Sequence, residues 1–240
     1  VEKTETATRL RGRIEKVLGG ALALGLRDGG NPAVWKGLLE HVLPQPNRIM
    51  KQQHHPAAQL RDMPELTKAL RDRGGPTDLA LEFLILTAAR SGEVRFATWS
   101  EFDEGLWTIP AVRMKAGSAH RIPLPNRCLE ILAQRKQLTD GPHVFQRNGK
   151  PLSDVAMSKT AKKLLPGITV HGFRSTFRDW VAEKTEYPGD LAEMALAHAV
   201  SNKVEAAYRR GDMLERRRAM MEHWAHVVGG NDERAKFNFT

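Results

Sequence analysis

The stretch HGFRSTFRDWVAEKT at residues 171–185 combines an apolar pattern and a basic pattern, both with the period of an α-helix. Four apolar side chains fall on one face of the predicted helix: Phe173, Phe177, Trp180 and Val181. His171, Arg174 and Arg178 recur at positions i, i+3 and i+7 and predict a basic stripe directed away from the core. An imidazole and a guanidinium one turn apart at a helix start can both reach one phosphate group. The alternative is a solvated helix face whose histidine only caps the helix.

The rest of the chain predicts more helices around one small sheet. Apolar residues at three- and four-residue spacing predict helices at 6–26, 35–42, 64–73, 77–89, 126–138, 153–163, 172–184, 189–197 and 212–228. Short alternating patterns at 106–110 and 120–124 flank a polar KAGSA turn and predict a β-hairpin. We therefore expect a mainly α-helical fold with a small antiparallel β-sheet.

Composition limits the class of protein. A chain of 240 residues with 41% hydrophobic composition can bury a sizeable core. Cys128 is the only cysteine, which excludes a disulfide framework and a cysteine-based metal cluster. The sequence has no apolar run of transmembrane length and no signal-like start, so we expect a cytoplasmic protein. The chain begins at Val1 inside a helical pattern, and we expect it to be a piece of a longer protein.

The net charge of +9 favours a polyanionic partner, although solubility alone also explains a basic chain. Residues 46–58 lack helical or strand periodicity and carry prolines, which is typical of an interdomain linker. We expect a first domain at 1–45, a second at 59–228 and a polar tail at 229–240.

Arg90 is a second candidate for anion recognition. It lies in the segment LTAARSGEVRFATWSEFD at 86–103, between an apolar helix and a new helix start that has Ser91 as its predicted N-cap. Glu93 would then interact favourably with the helix dipole. A guanidinium at a tight junction between helices is fixed in position and suits phosphate recognition. Alternatively, Glu93 and Arg95 form an ordinary surface network.

Lys115 and His198 are further candidates. Lys115 lies near the tip of the predicted hairpin, in RMKAGSAHRIPL, where an ammonium group can protonate a leaving alkoxide. The alternative is a lysine that only increases solubility. His198 ends an apolar helix in the segment ALAHAV, a position that also suits a buried histidine or a helix C-cap.

Tyr208, in the segment EAAYRRG at 205–211, is one of only two tyrosines and follows His198 by ten residues. A phenol has a pKa of about 10 and is a poor nucleophile unless positive groups stabilise the phenolate or a base removes its proton. The neighbouring Arg209 and Arg210 point in other directions from a helix and are better suited to contacts with a polyanion or with acidic neighbours. The alternative role for Tyr208 is packing.

These segments together resemble the tyrosine recombinase (phage integrase) family, over residues 56–228. The motifs that carry the resemblance occur in the family's order: AARSGEV, a lysine before HRIPL, HGFR, LAH and AAYRRG. The sequence looks closest to integrases of satellite prophages and genomic islands. Related sequences often have Gly-x-Arg-Pro-Gly-Glu where this chain has Ala88-Ala89-Arg90-Ser91-Gly92-Glu93.

The resemblance implies roles for six residues. Five of them would surround a scissile phosphate: Arg90, Lys115, His171, Arg174 and His198. Tyr208 would be the nucleophile. Hairpin length varies in the family, and Lys150 in RNGKPLSD is the alternative to Lys115.

The resemblance also implies the activity and the partners. We expect a site-specific DNA recombinase that cuts and rejoins DNA through a 3′-phosphotyrosyl intermediate, during integration or excision of a mobile element. The expected partners are double-stranded attachment sites, three further protomers in a tetramer on DNA, and DNA-bending accessory proteins; alone, the protein would be a monomer. Metal ions and cofactors would not be needed.

Domain roles follow from the same resemblance. Residues 1–45 would be the last helices of a helical core-binding domain, and residues 59–228 the catalytic domain. The tail at 229–240, with Phe237 and Phe239, would dock on a neighbouring protomer or remain a disordered end.

Two other functions use similar residues. A type IB topoisomerase cuts and religates without exchanging partners, although the NKVEAAYRRGD context favours an integrase. A catalytically silent DNA-binding regulator would have no need for His171, Arg174 and Tyr208 together.

Overall fold

The structure is a computed structural model that describes residues 3–45, 56–198 and 211–231. The chain divides into two compact units, Val1–His54 and His55–Thr240. Of the candidate site residues, Tyr208 lies outside the described ranges.

In its described part, residues 3–45, the first unit is built on one long helix, α1 (Thr4–Ala23). The loop that follows α1 folds back on it, since Asn31 donates from its side-chain amide to the Glu15 carbonyl at 2.8 Å. The predicted helix at 35–42 is wrong: only a 3₁₀ turn at Leu39–His41 forms there. Gly37 has a φ of 80°, in the left-handed region, which interrupts a right-handed helix at that point.

The second unit is mainly helical in its described part. Its α-helices are α2 (Met63–Arg73), α3 (Pro76–Thr87), α4 (Ser91–Arg95), α5 (Asn126–Leu138), α6 (Ala156–Leu164), α7 (Gly172–Lys184), α8 (Gly189–Ala195) and α9 (Leu214–Val228). None of the helices in the described ranges is both long and apolar enough to span a membrane.

Two small antiparallel sheets accompany these helices. Strands β1 (Phe102–Asp103), β2 (Leu106–Ile109) and β3 (His120–Pro123) form one sheet in that order. Strands β4 (Gln146–Arg147) and β5 (Lys150–Pro151) form a separate hairpin. The predicted β2–β3 hairpin is observed, whereas β1, β4 and β5 are each two residues long and give no readable alternation in sequence.

Helix α3 forms the centre of the core, with ten of its twelve residues buried. Trp224 of α9 donates from its indole nitrogen to the Ile85 carbonyl of α3 at 2.8 Å. Its ring also packs against Phe177 and Trp180 of α7, with centroids 5.4 and 5.1 Å apart. These contacts fix α7 and α9 against α3, and α7 carries part of the site described below.

Glu82 of α3 is a fully buried carboxylate held between two arginines. Its side chain accepts hydrogen bonds from Arg71 at 2.5 Å and from Arg127 at 2.9 Å through both oxygens. Removing one member of a buried ionic group leaves uncompensated charge in the interior. We expect Glu82→Ala to lower the free energy of unfolding by about 3–5 kcal/mol, measured by urea denaturation.

The matched control for Glu82→Ala is Glu130→Ala. Glu130 binds the same Arg127 at 2.8 Å, but its side chain is 63% exposed. An exposed ion pair of this kind contributes less than about 1 kcal/mol. Equal losses in the two variants would contradict the structural role given to the buried carboxylate.

Candidate active site

A cleft of about 370 Å³ lies where the starts of α4 and α7 meet the loop before β3. Four of the six predicted site residues line it: Arg90, Lys115, His171 and Arg174. His198 does not line this cleft, but its ring contacts Arg174, which does. The structure thus brings together side chains from four separate segments of the chain.

Arg90 is fixed by Glu93 at the start of α4. The Arg90 backbone N–H donates to one Glu93 carboxylate oxygen at 2.7 Å, and its guanidinium donates to the other at 2.8 Å. Because Glu93 reaches back in this way, the helix begins after Arg90. The N-cap is therefore Arg90, and the prediction of Ser91 is wrong by one residue. Glu93 is buried, so the alternative of an ordinary surface network is also wrong.

Helix α3 ends just before Arg90 at a strained residue. Ala88 has a φ of 49°, in the left-handed region where a Cβ is unfavourable. Its carbonyl accepts a hydrogen bond from the Arg174 guanidinium. A glycine would adopt this conformation without that penalty.

Arg174 is buried, with only 4% of the residue exposed. Besides Ala88, its guanidinium donates to the Leu196 carbonyl at 2.6 Å and contacts His198 at 3.1 Å. Burial, with the nearby charge of Arg90, lowers the pKa of Arg174 to about 10, so the group stays protonated at neutral pH. Two guanidiniums close together with little solvent around one of them favour an anion in the cleft.

The burial of Arg174 corrects the prediction of an outward basic stripe. His171 and Arg178 are exposed, whereas Arg174 points into the protein. Spacings of three and seven residues place Arg174 beside Phe177 and Val181, on the border of the apolar face. The alternative of a merely solvated helix face is excluded for this arginine.

His198 lies between an acidic and a basic side chain. Its Nδ1 lies 2.6 Å from a Glu193 carboxylate oxygen, and its Nε2 lies 3.1 Å from the Arg174 guanidinium. Since a guanidinium only donates, Nε2 accepts that hydrogen bond and Nδ1 carries the proton that is donated to Glu193. The ring is partly exposed, which excludes the alternative of a buried core histidine.

Lys115, rather than Lys150, lies at the cleft. Lys115 is exposed on the turn that follows a 3₁₀ helix at Ala111–Arg113. Arg113 anchors that turn, because its guanidinium donates to the Glu101 carboxylate and to the Glu93 carbonyl. Lys150 belongs to strand β5 and is not among the residues that line the cleft.

Three residues around the cleft were not predicted as part of the site. Glu93 orients Arg90, Arg113 anchors the turn that carries Lys115, and Glu193 contacts His198. The sequence placed Arg113 two residues before Lys115 but gave no sign of its partners. Among the described residues, no cluster of three or more His, Cys, Asp or Glu side chains is arranged to hold a metal ion.

Gly172 allows the start of α7 to approach another backbone segment closely. A Cβ at this position would lie 2.2 Å from the Pro56 carbonyl oxygen. We expect Gly172→Ala to lower the free energy of unfolding by at least about 1–3 kcal/mol, because the backbone has to move. Urea denaturation measures this loss. The same movement displaces His171 and Arg174, so the arrangement of side chains in the cleft should change as well.

Gly189→Ala is the control for this substitution. Gly189 is the first residue of α8, and a Cβ there meets no atom within 4 Å. Alanine should therefore leave stability unchanged or raise it slightly. If Gly172→Ala were as stable as Gly189→Ala, the close approach would not constrain the start of α7.

The chemistry of the cleft follows from its donors. Two guanidiniums can neutralise the non-bridging oxygens of a phosphodiester and stabilise the added charge of a five-coordinate phosphorus. Lys115 and His171 line the same cleft and can donate or accept protons. The arrangement is therefore suited to phosphoryl transfer.

Comparison with known proteins identifies relatives that match most of this chain. Prophage integrase IntA of Escherichia coli (strain K12) is 33% identical over 239 residues, which cover 95% of this chain and 55% of that protein. The integrase of Enterobacteria phage P4 is 28% identical over 254 residues, which cover 95% of this chain and 56% of that protein. This chain thus spans little more than half the length of either relative.

A solved structure shares the fold. The lambda integrase dimer bound to a COC′ core site matches with a TM-score of 0.60 and 18% identity, over 83% of this chain and 74% of that chain. The predicted fold class, mainly α-helical with a small antiparallel β-sheet, is confirmed, and the described residues add a second, two-stranded sheet. The Phage integrase family model matches residues 58–215, which is more than half of the chain. On this evidence the chain belongs to the tyrosine recombinase (phage integrase) family.

Proposed function

We propose that this chain carries the DNA-cleaving part of a site-specific recombinase, which integrates or excises a mobile element. The observation that carries the proposal is the convergence of Arg90, Lys115, His171 and Arg174 on one cleft, with His198 bonded to Arg174. These residues come from distant parts of the sequence, and together they supply the phosphate-binding and proton-transferring groups that phosphoryl transfer needs.

Arg90 and Arg174 bind the scissile phosphate in this proposal. Both side chains are held by neighbouring groups, Arg90 by Glu93 and Arg174 by two backbone carbonyls. Because their positions are fixed before DNA arrives, little reorganisation is needed when charge develops on the phosphoryl oxygens. The proposal requires no metal ion, since the guanidiniums stabilise that charge.

Bond making and breaking are assigned as follows. The Tyr208 hydroxyl attacks phosphorus, its proton passes to His171, and a phosphorus–oxygen bond to the phenol forms. The bond to the 5′-oxygen breaks, and Lys115 supplies the proton for that oxygen. His198 hydrogen-bonds a phosphoryl oxygen. Since the product is still a phosphodiester, a 5′-hydroxyl of another strand can reverse the step and exchange strands without ATP.

The substrate and assembly are proposed from the relatives. Solved structures show lambda integrase as a dimer bound to a core site and as a tetramer bound to a Holliday junction. We assign double-stranded attachment sites as the substrate of this chain and a tetramer on DNA as its assembly, with DNA-bending accessory proteins. The net charge of +9 supports a polyanionic substrate. The first unit is assigned as the end of a core-binding domain.

A nicked suicide substrate tests the proposal. The nick lets a short 5′-hydroxyl fragment diffuse away after cleavage, so the covalent protein–DNA intermediate accumulates and is measured on a denaturing gel. We expect an adduct from the wild type and none from Tyr208→Phe. A wild type that forms no adduct on its attachment site, or a phenylalanine variant that forms a normal amount, would overturn the assignment.

A further inference from the structure

Glu193 contacts the candidate catalytic histidine from outside the cleft. The two ring nitrogens of His198 have different partners, Glu193 at Nδ1 and Arg174 at Nε2. The His198 backbone N–H also donates to the Glu193 carbonyl at 3.0 Å. Ala197 has a φ of 48°, and this turn after α8 returns the imidazole toward the Glu193 side chain.

Glu193 is itself held in place by Arg178. The Arg178 Nε donates to the second Glu193 carboxylate oxygen at 2.9 Å. Arg178 follows Arg174 by four residues on α7. Arg174 contacts His198, His198 contacts Glu193 and Glu193 contacts Arg178, so this series of contacts begins and ends on the same helix. Burial alone would raise the pKa of Glu193, but the hydrogen bonds from His198 and Arg178 lower it below its usual value, so the carboxylate stays ionised.

An ionised carboxylate that accepts from Nδ1–H affects whether Nε2 carries a proton. In the free protein Nε2 has no proton and accepts from Arg174. To donate to a phosphoryl oxygen, the ring has to gain a second proton at Nε2. The negative charge of Glu193 stabilises the resulting imidazolium, as a carboxylate stabilises the histidine of other catalytic sites.

We propose that Glu193 is a positioning residue that acts through His198, fixing the Nδ1–H tautomer and stabilising the imidazolium that donates to the phosphate. This inference rests on the proposed function of the cleft. Arg178 holds Glu193 in the orientation that this role requires.

The tautomer is measured directly by ¹⁵N NMR of histidine-labelled protein without DNA, with His198→Gln used to assign the signal. We expect the Nδ1–H form in the wild type and a shift toward the Nε2–H form in Glu193→Ala. An Nε2–H form in the wild type, or the same tautomer in both proteins, would overturn the inference. This result does not depend on whether the protein cleaves DNA.

A double-mutant cycle on the suicide substrate tests the functional link. We expect Glu193→Ala to slow adduct formation by about 10- to 100-fold, as for other carboxylates that orient a functional histidine. In a His198→Ala background the same substitution should have no further effect, because Glu193 acts only through the ring. Glu183→Ala, which removes an exposed carboxylate on α7, should cleave at the wild-type rate.

Failure of the inference is distinguishable from failure of the proposed function. If the wild type forms no adduct, the proposed function fails. If it does form one and Glu193→Ala reacts at the same rate, or slows the His198→Ala protein further, only the inference fails. In the cleavage assay, Glu193→Gln, which keeps an acceptor for Nδ1–H but loses the charge, replaces Glu193→Ala if the alanine variant does not fold.

Discussion

Arg174→Lys is expected to slow single-turnover cleavage of the suicide substrate by at least about 10³-fold, the scale on which a transition-state arginine acts in phosphoryl transfer. The buried guanidinium makes contacts to Ala88, Leu196 and His198 at the same time. A lysine keeps the charge, but its single ammonium cannot reproduce a planar fork that donates in several directions. The cleavage rate should therefore fall even though the positive charge is kept.

Two measurements separate this loss from misfolding. The variant's melting temperature and its affinity for the same DNA at matched salt show whether the fold and the overall charge are intact. Arg218→Lys is the matched control, since Arg218 is on the surface of α9 and pairs only with Glu215 in the described structure. A folded Arg174→Lys protein that cleaves within about tenfold of the wild type would contradict the role given to this side chain.

Lys115→Ala is expected to slow cleavage by about 10²- to 10⁴-fold, the usual contribution of a general acid. The reason is the leaving group: an alkoxide needs a proton as the bond to phosphorus breaks, and among the described residues Lys115 is the lysine that lines the cleft. Replacing the bridging 5′-oxygen of the substrate by sulfur removes that need, because a thiolate leaves without protonation. The sulfur substrate should restore most of the lost rate.

Lys150→Ala is the control that decides between the two lysines. Lys150 lies on the β4–β5 hairpin, so its removal should leave both the oxygen and the sulfur substrate reacting at wild-type rates. The opposite pattern, in which Lys150→Ala is slow and rescued by sulfur, would assign the general acid to the second hairpin. Slow cleavage of the sulfur substrate by Lys115→Ala would point to a structural role for Lys115.

Periodic patterns predicted the long elements well and the short ones poorly. The amphipathic pattern of α7 and the apolar run of α3 predicted both helices, because each buries a face over several turns. The pattern at 35–42 predicted a helix that Gly37 prevents, since a φ of 80° is incompatible with the α conformation. The two-residue strands β4 and β5 pair through a tight turn, and so few residues give no period.

The types and the order of the candidate site residues were predictable from the sequence, but the contacts between their side chains were not. Motif order identified the family, which the family model confirms, and five of the six proposed residues lie in the described structure at the cleft or bonded to it. The pattern does not reveal the burial of Arg174, because a basic residue at i, i+3 spacing is equally typical of a solvated face. The Glu193–His198 contact forms at the end of a helix, where Ala197 makes a left-handed turn. A spacing of five residues does not bring two side chains together on a regular helix, so the sequence does not predict this contact.

The central claim is that Tyr208 forms the covalent bond to DNA, and identifying the residue that carries the DNA tests it most directly. The chain has only two tyrosines, and Tyr187 packs against Trp180 and His223, whose rings are not among the residues that line the cleft. Trypsin cuts after Lys203 and Arg209, which releases Tyr208 in the short peptide VEAAYR, separate from the peptide that contains Tyr187. Mass spectrometry of the digested adduct should find the nucleotide on VEAAYR. Attachment to the Tyr187 peptide, or to any other residue, would contradict the account.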